Sequence, residues 1–142
     1  MTPLEKLGLS IKRLQDHHHK TLDTKLASLG ISLVQWHALR EIDRHPGSSQ
    51  LRMAELTFNS AQAFGTLVTR MEREGLISRT PSGGRAFALS LTPKGQKRLN
   101  EGRRLVLEML ADSFGGLSEN ECATLQKLLD KALRHREAGD PA

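Results

Sequence analysis

The chain of 142 residues lacks most features of exported and membrane proteins. Its one cysteine, Cys122, excludes an internal disulfide framework and is typical of a reducing compartment. No apolar run approaches the roughly 20 residues that a membrane span needs. The first six residues are polar and predict a helix, whereas a signal peptide would begin with a basic and then an apolar segment. We therefore expect one cytoplasmic domain that can bury a modest core.

Motifs of enzymes and of metal proteins are absent as well. The sequence has no phosphate-cradling glycine loop, no metal-ligand spacing and no nucleophile motif. We therefore predict that the chain is not an enzyme and needs no cofactor. Three consecutive histidines, His17 to His19, cannot converge on one metal ion, because neighbouring helical side chains point about 100° apart. A metal site built from several helices, with His37 and His45, stays open without a motif to support it.

Positive charge is in excess, and its distribution is uneven. The net charge is +5, yet the segment from Arg70 to Arg104 holds nine basic and three acidic residues. The remainder of the chain is therefore close to neutral. A local basic block of this kind indicates a polyanionic partner. A solvated surface is the alternative, and charge alone does not distinguish the two.

Apolar spacing and capping residues predict six helices and one hairpin. The predicted helices cover residues 2–29, Ile31 to the residue before Pro46, Gln50 to about Thr57, Ser60 to Gly75, Thr92 to about Phe114, and Ser118 to about His135. Alternating segments from Leu76 to Thr80 and from Arg85 to Leu91 flank a glycine-containing turn, which predicts the hairpin. The predicted core includes Leu51, Met53 and Ala54 of the third helix.

The segment from Ser60 to Gly75 has the most informative pattern. As a helix it places Phe64, Val68 and Met71 on one side, while amide, hydroxyl and guanidinium groups occupy the other. Such groups donate to phosphates and to base edges. A short helix, a tight turn and this donor-rich helix form a helix-turn-helix layout, and the hairpin that follows is its wing. The alternative is an ordinary amphipathic surface helix.

Several motifs resemble those of the MarR family of winged helix-turn-helix regulators. The segment Ile31 to Leu39, Ile-Ser-x-x-Gln-Trp-x-x-Leu, is similar to Leu-Thr-x-x-Gln-Phe-x-x-Leu. The segment Leu67 to Arg79 resembles Leu-Val-Asp-Arg-Leu-Glu-x-x-Gly-Leu-Ile-x-Arg. Arg85, followed by Leu-Thr-Pro-Lys-Gly95, resembles the wing arginine and the Leu-Thr-x-x-Gly that follows it. The sequence departs from the family at Gly83, where the wing acid is usual, and at the small residues Ala61, Ala63 and Gly65.

The resemblance implies a mainly α fold with a small β-hairpin wing, formed as a single domain over residues 1–142. Residues 31–99 would form the winged lobe, and residues 2–29 and 100–137 the dimerisation helices. It implies a homodimeric, ligand-responsive repressor that binds double-stranded DNA at a pseudo-palindromic operator. The alternative is a winged-helix protein-interaction module without specific DNA binding, for which Gly65 and Gly83 give mild support.

The candidate DNA contacts are polar residues of the third and fourth helices and of the hairpin. They are Ser49, Arg52, Ser60, Gln62, Thr66, Thr69, Arg70, Arg73, Arg79 and Arg85. We expect the middle of the fourth helix to enter the major groove and Arg85 to lie in or near the minor groove. For Arg79 the alternative is that it only braces the hairpin.

The resemblance also implies an effector pocket between the first two helices and the DNA-binding lobe. Its candidate residues are His18, Trp36, His37 and Met53, and the expected ligand is a small aromatic or phenolic anion. His18 interrupts the apolar stripe of the first helix. The alternative for His18 is therefore a hydrogen-bonded histidine at a core or dimer seam.

Overall fold

A computed structural model describes residues 1–81 and 87–139. Within these residues, six helices and a two-stranded hairpin follow one another along the chain. They are α1 (Pro3–Ala27), α2 (Leu33–Arg44), α3 (Gln50–Leu56), α4 (Ala61–Arg73), β1 (Ile77–Pro81), β2 (Phe87–Leu91), α5 (Pro93–Ser113) and α6 (Glu119–Gly139). The predicted fold class, mainly α with a β-hairpin wing, is confirmed.

Side-chain caps explain where the helices begin. The Ser32 hydroxyl accepts from the Gln35 N–H (3.1 Å), and the Gln35 side chain accepts in return from the Ser32 N–H (3.0 Å). Thr2 with Glu5 and Ser118 with Glu121 form the same reciprocal pair. Single hydroxyl caps start α3, α4 and α5. Each cap acts over three residues, so the sequence predicts the helix starts well.

The core lies between the second half of α1, the helices α2, α3 and α4, the hairpin and α5. Its largest fully buried side chains include Leu26, Leu39, Phe64 and Leu99. Trp36 of α2 is buried too, and its indole Nε1–H donates to the Leu99 carbonyl at 3.2 Å. This hydrogen bond ties α2 to α5. The two strands pair antiparallel, with Ile77 opposite Leu91.

The structure corrects three details of the prediction. Leu51 is 61% exposed and does not join the core, because it lies about 200° round α3 from the buried Met53. The alternation along β2 predicts that Phe87 shares a face with Leu89, yet Phe87 is 45% exposed at the start of the strand whereas Leu89 is buried. The last helix continues to Gly139, past the predicted fraying point near His135.

Two helical segments extend beyond the core. In the first half of α1, Leu4, Leu7 and Ile11 are exposed, and none of the residues Glu119–Gly139 of α6 is buried. Leucines such as Leu128 and Leu133 therefore face outward in this single chain. None of the helices that the structure describes is long and apolar enough to cross a lipid bilayer.

Candidate nucleic-acid interface

The interface is built on α4, which has a buried face and an exposed polar face. Phe64, Val68 and Met71 point into the core. The exposed residues on the opposite side are Gln62, Thr66, Thr69, Arg70 and Arg73. The hydroxyl protons of the two threonines go to backbone carbonyls of the preceding turn (3.2 and 3.0 Å). The Thr66 oxygen therefore remains available as an acceptor, while Gln62 and the arginines supply donors.

Arg70 is held by an acidic residue at the end of the same helix. Its Nε–H donates to the Glu74 carboxylate at 3.0 Å. The other carboxylate oxygen of Glu74 accepts from the side-chain amide of Gln35, also at 3.0 Å. Gln35 lies on α2 and is 4% exposed. Neither Gln35 nor Glu74 is among the interface residues predicted from the sequence, because their contact joins residues 39 positions apart.

Arg79 of β1 faces α4. Its Nη2 donates to the Thr69 hydroxyl at 3.3 Å, and its Nε lies 3.7 Å from a carboxylate oxygen of Glu72. At that distance the two charges attract each other without a hydrogen bond, and the Arg79 Nε has no hydrogen-bond partner among the described residues. The geometry favours the bracing role for Arg79, in which the side chain fixes the hairpin to the helix.

The other candidates lie at helix starts or outside the described residues. The Ser49 and Ser60 hydroxyls cap α3 and α4, so both already accept a backbone N–H. Ser49 also forms a backbone bridge with Ala88 of β2, which brings the wing beside the start of α3. Arg52 is exposed and pairs with Glu55 at 3.2 Å. Arg85 lies outside the described residues.

A separate cavity of about 220 Å³ lies between α1, α2 and α5. Its lining includes His18, Trp36 and His37, three of the four predicted pocket residues. Met53, the fourth, is 1% exposed and lies in the core, because the inner face of α3 packs against the other helices. The lining also includes Arg40, which sequence reasoning missed although it is one helical turn from Trp36.

Arg40 is the positive group of this cavity. Its guanidinium carbon lies 5.4 Å from the centroid of the Trp36 ring, a cation–π distance. It also pairs with the buried Glu41 at 3.0 Å. Burial is the main cause that lowers the pKa of His37 from 6.5 to about 4, and the charge of Arg40 adds to the effect. His37 is therefore neutral at pH 7.

His18 is a hydrogen-bonded histidine at a helix seam. Its Nε2 lies 2.6 Å from the Ser113 hydroxyl, and its ring meets that of Phe114 edge-on with 5.4 Å between the centroids. Burial lowers the pKa of His18, and His17 lowers it further. Among the described residues, no group of three or more histidine, cysteine or acidic side chains is placed to hold a metal ion. The geometry favours the structural alternative for His18.

The chain matches one protein-family model and is similar to many solved structures. A model of the MarR family matches residues 29–86, which include α2, α3, α4 and β1. A probable transcriptional regulator from Pseudomonas aeruginosa is 27% identical and covers 88% of this chain and 95% of its own, with a TM-score of 0.76.

Two structures with bound molecules share the fold. A MarR mutant from E. coli in complex with operator DNA is 23% identical, covers 90% of this chain and 94% of its own, and has a TM-score of 0.81. A MarR family protein from Mycobacterium tuberculosis in complex with salicylic acid is 23% identical, covers 89% of this chain and 95% of its own, and has a TM-score of 0.73.

Proposed function

Because a model of the MarR family matches residues 29–86, we propose that the chain is a transcriptional regulator of that family and binds double-stranded DNA in a sequence-specific manner. The exposed polar face of α4 is the observation that carries the proposal. Its amide, hydroxyl and guanidinium groups match the chemistry of phosphates and base edges in the major groove. One relative of the same fold was solved with operator DNA.

The exposed apolar faces of α1 and α6 support a homodimer. Leucines such as Leu4, Leu7, Leu128 and Leu133 are more than half exposed in the single chain. A second copy would cover them, with residues 31–99 left as the DNA-binding lobe and residues 2–29 and 100–137 used for dimerisation. Two α4 helices related by a two-fold axis would enter major grooves about one helical turn apart. The operator is therefore pseudo-palindromic.

The cavity beside Trp36 is the proposed effector site. Arg40 supplies a positive charge and Trp36 an aromatic surface, which together suit a small aromatic anion. The salicylic acid complex of a relative agrees with this chemistry. A ligand that prefers one spacing of the two lobes would shift the dimer toward that form and release DNA. In this proposal the protein is a cytoplasmic repressor.

Gel-shift titration of the DNA upstream of the protein's own gene, at two salt concentrations, tests DNA binding. We expect a discrete complex that forms more tightly than with an unrelated duplex and that weakens steeply as salt rises, because phosphate contacts release counterions. Equal affinity for both duplexes would favour the protein-interaction module instead.

Salicylate titration tests the effector site. The protein has a single tryptophan, so a saturable change in its fluorescence reports on this cavity. The same ligand concentrations should release the DNA. A flat fluorescence trace would count against the site and leave DNA binding untouched.

A further inference from the structure

We propose that Glu74 is a positioning residue that holds the guanidinium of Arg70 for contact with a guanine in the major groove. Gln35 of α2 anchors Glu74 in turn. This inference rests on the proposed DNA-binding function and adds to it two residues that do not themselves need to touch DNA.

The Glu74 carboxylate is fixed by both of its oxygens. One accepts from the Arg70 Nε–H at 3.0 Å and the other from the Gln35 side-chain amide at 3.0 Å. The backbone carbonyl of Glu74 also accepts from the Lys94 ammonium at 2.8 Å. The end of α4 is thereby tied to α2 and to the start of α5.

Gln35 is a rigid anchor because both ends of its amide are used. Its oxygen accepts from the Ser32 N–H at 3.0 Å, so its NH₂ group must point toward Glu74. The side chain is buried and cannot swing into solvent. An exposed arginine–glutamate pair within one helix is normally weak and mobile. Here the buried amide holds the acidic partner in one place.

The atom that Glu74 binds decides what Arg70 can do. The carboxylate takes the inner nitrogen, Nε, and the two outer nitrogens of the guanidinium make no hydrogen bond to the described residues. Those two nitrogens form the fork that bonds the O6 and N7 atoms of guanine. The Arg70 side chain is 70% exposed. An arginine already oriented loses less conformational entropy on binding.

A simpler account of Glu74 predicts the opposite result. In that account its negative charge only repels DNA phosphates, so that removing the charge tightens binding to every sequence. If Glu74 positions Arg70, removing the charge weakens binding to the preferred sequence alone. The two accounts differ in the sign of the change.

The experiment compares Glu74→Gln with Glu72→Gln, which removes the same charge from the same helix but from an acid that faces Arg79. The probes are the tightest duplex that the wild-type dimer selects from a randomised library and a scrambled duplex of equal length. For Glu74→Gln we expect roughly tenfold weaker binding to the selected duplex, within the range of one arginine–guanine contact. Binding to the scrambled duplex should be unchanged or tighter. Glu72→Gln should retain the wild-type ratio of the two affinities.

Two further measurements separate positioning from a general effect on the fold. In an Arg70→Ala background, Glu74→Gln should weaken binding no further, because its effect passes through Arg70. Guanines of the selected duplex are then replaced one at a time with 7-deazaguanine, which lacks the N7 acceptor. At one position this replacement should weaken binding of the wild-type protein but change binding of Glu74→Gln little. Circular dichroism melting of each variant checks that it is folded.

The outcomes separate this inference from the proposed function. If Arg70→Ala weakens binding to the selected duplex but Glu74→Gln behaves like Glu72→Gln, positioning is wrong and DNA binding stands. If Arg70→Ala does not change the affinity for that duplex, Arg70 does not contact a guanine and the inference is wrong. If the wild-type protein selects no sequence from the library, the proposed function itself fails.

Discussion

Phe58, in the turn between α3 and α4, has a backbone conformation that bulky residues rarely adopt. Its φ is +59°, and its side chain is 98% exposed. A left-handed conformation costs a non-glycine residue about 1–2 kcal/mol, and asparagine tolerates it better than most. The exposed ring makes little contact that could offset this cost.

We therefore predict that Phe58→Asn stabilises the protein by about 0.5–1 kcal/mol. Urea unfolding followed by circular dichroism measures the change. The matched control is Gly47→Ala, which puts a side chain at a φ of +77° where the surroundings leave space for it. That variant should lose stability. Destabilisation by Phe58→Asn would show that the ring packs in solution.

His37 makes stability depend on pH in a predictable direction. Its pKa is about 4 in the folded chain against an ordinary value of 6.5, chiefly because the ring is buried. Between these values the unfolded chain binds more protons, so stability falls as pH falls from about 6.5 to about 4. Arg40 and His19 strengthen the effect and Glu41 opposes it. Burial of His18 acts in the same direction.

The expected result is a melting temperature that falls over this pH range, and falls less in His37→Gln. His135→Gln is the control, since that histidine is exposed on α6. Melting curves at several pH values between 4 and 7 measure both variants. Equal slopes for wild type and His37→Gln would contradict the assignment.

At the scale of elements, the contact between α2 and α5 depends on a glycine. The Trp36 ring lies directly against Gly102, and a Cβ at that position would overlap the ring. Trp36 is also held by its hydrogen bond to Leu99. The two helices can approach this closely only because residue 102 has no side chain.

Gly102→Ala should therefore destabilise the protein by about 1–3 kcal/mol, as overpacking of a core does. It should also change the fluorescence of Trp36, the chain's one tryptophan. Chemical unfolding and emission spectra test both effects. Gly8→Ala, at an open position inside α1, should leave the fluorescence unchanged and raise stability by about 0.5–1 kcal/mol, because alanine favours a helix over glycine. A fully stable Gly102→Ala would mean that α5 shifts at no cost.

At the scale of the whole molecule, the exposed apolar face of α6 supports the proposed dimer. Leu128→Glu should convert the proposed dimer into a monomer, because it would bury a charge in the apolar interface. Analytical ultracentrifugation measures the mass. Leu51→Glu is the matched control, since Leu51 is equally exposed but lies in the winged lobe. A wild-type protein that sediments as a monomer would refute the dimer.

The features that the sequence determined by itself are local. Capping pairs such as Ser32 with Gln35 and the two-faced pattern of Ser60 to Gly75 act within a few residues, so they predicted the helix starts and the polar face of α4. The motifs of α2 to β1 likewise indicated the resemblance to the MarR family, whose model matches residues 29–86.

Only the tertiary structure decided which distant residues meet. Gln35 reaches Glu74 across 39 positions, and His18 reaches Ser113 across 95. The tertiary structure also decided that Arg40 lines the cavity and that Met53, buried in the core, does not. The periodicity of a helix states which residues share a face, but the packing of one helix against another decides what each face touches.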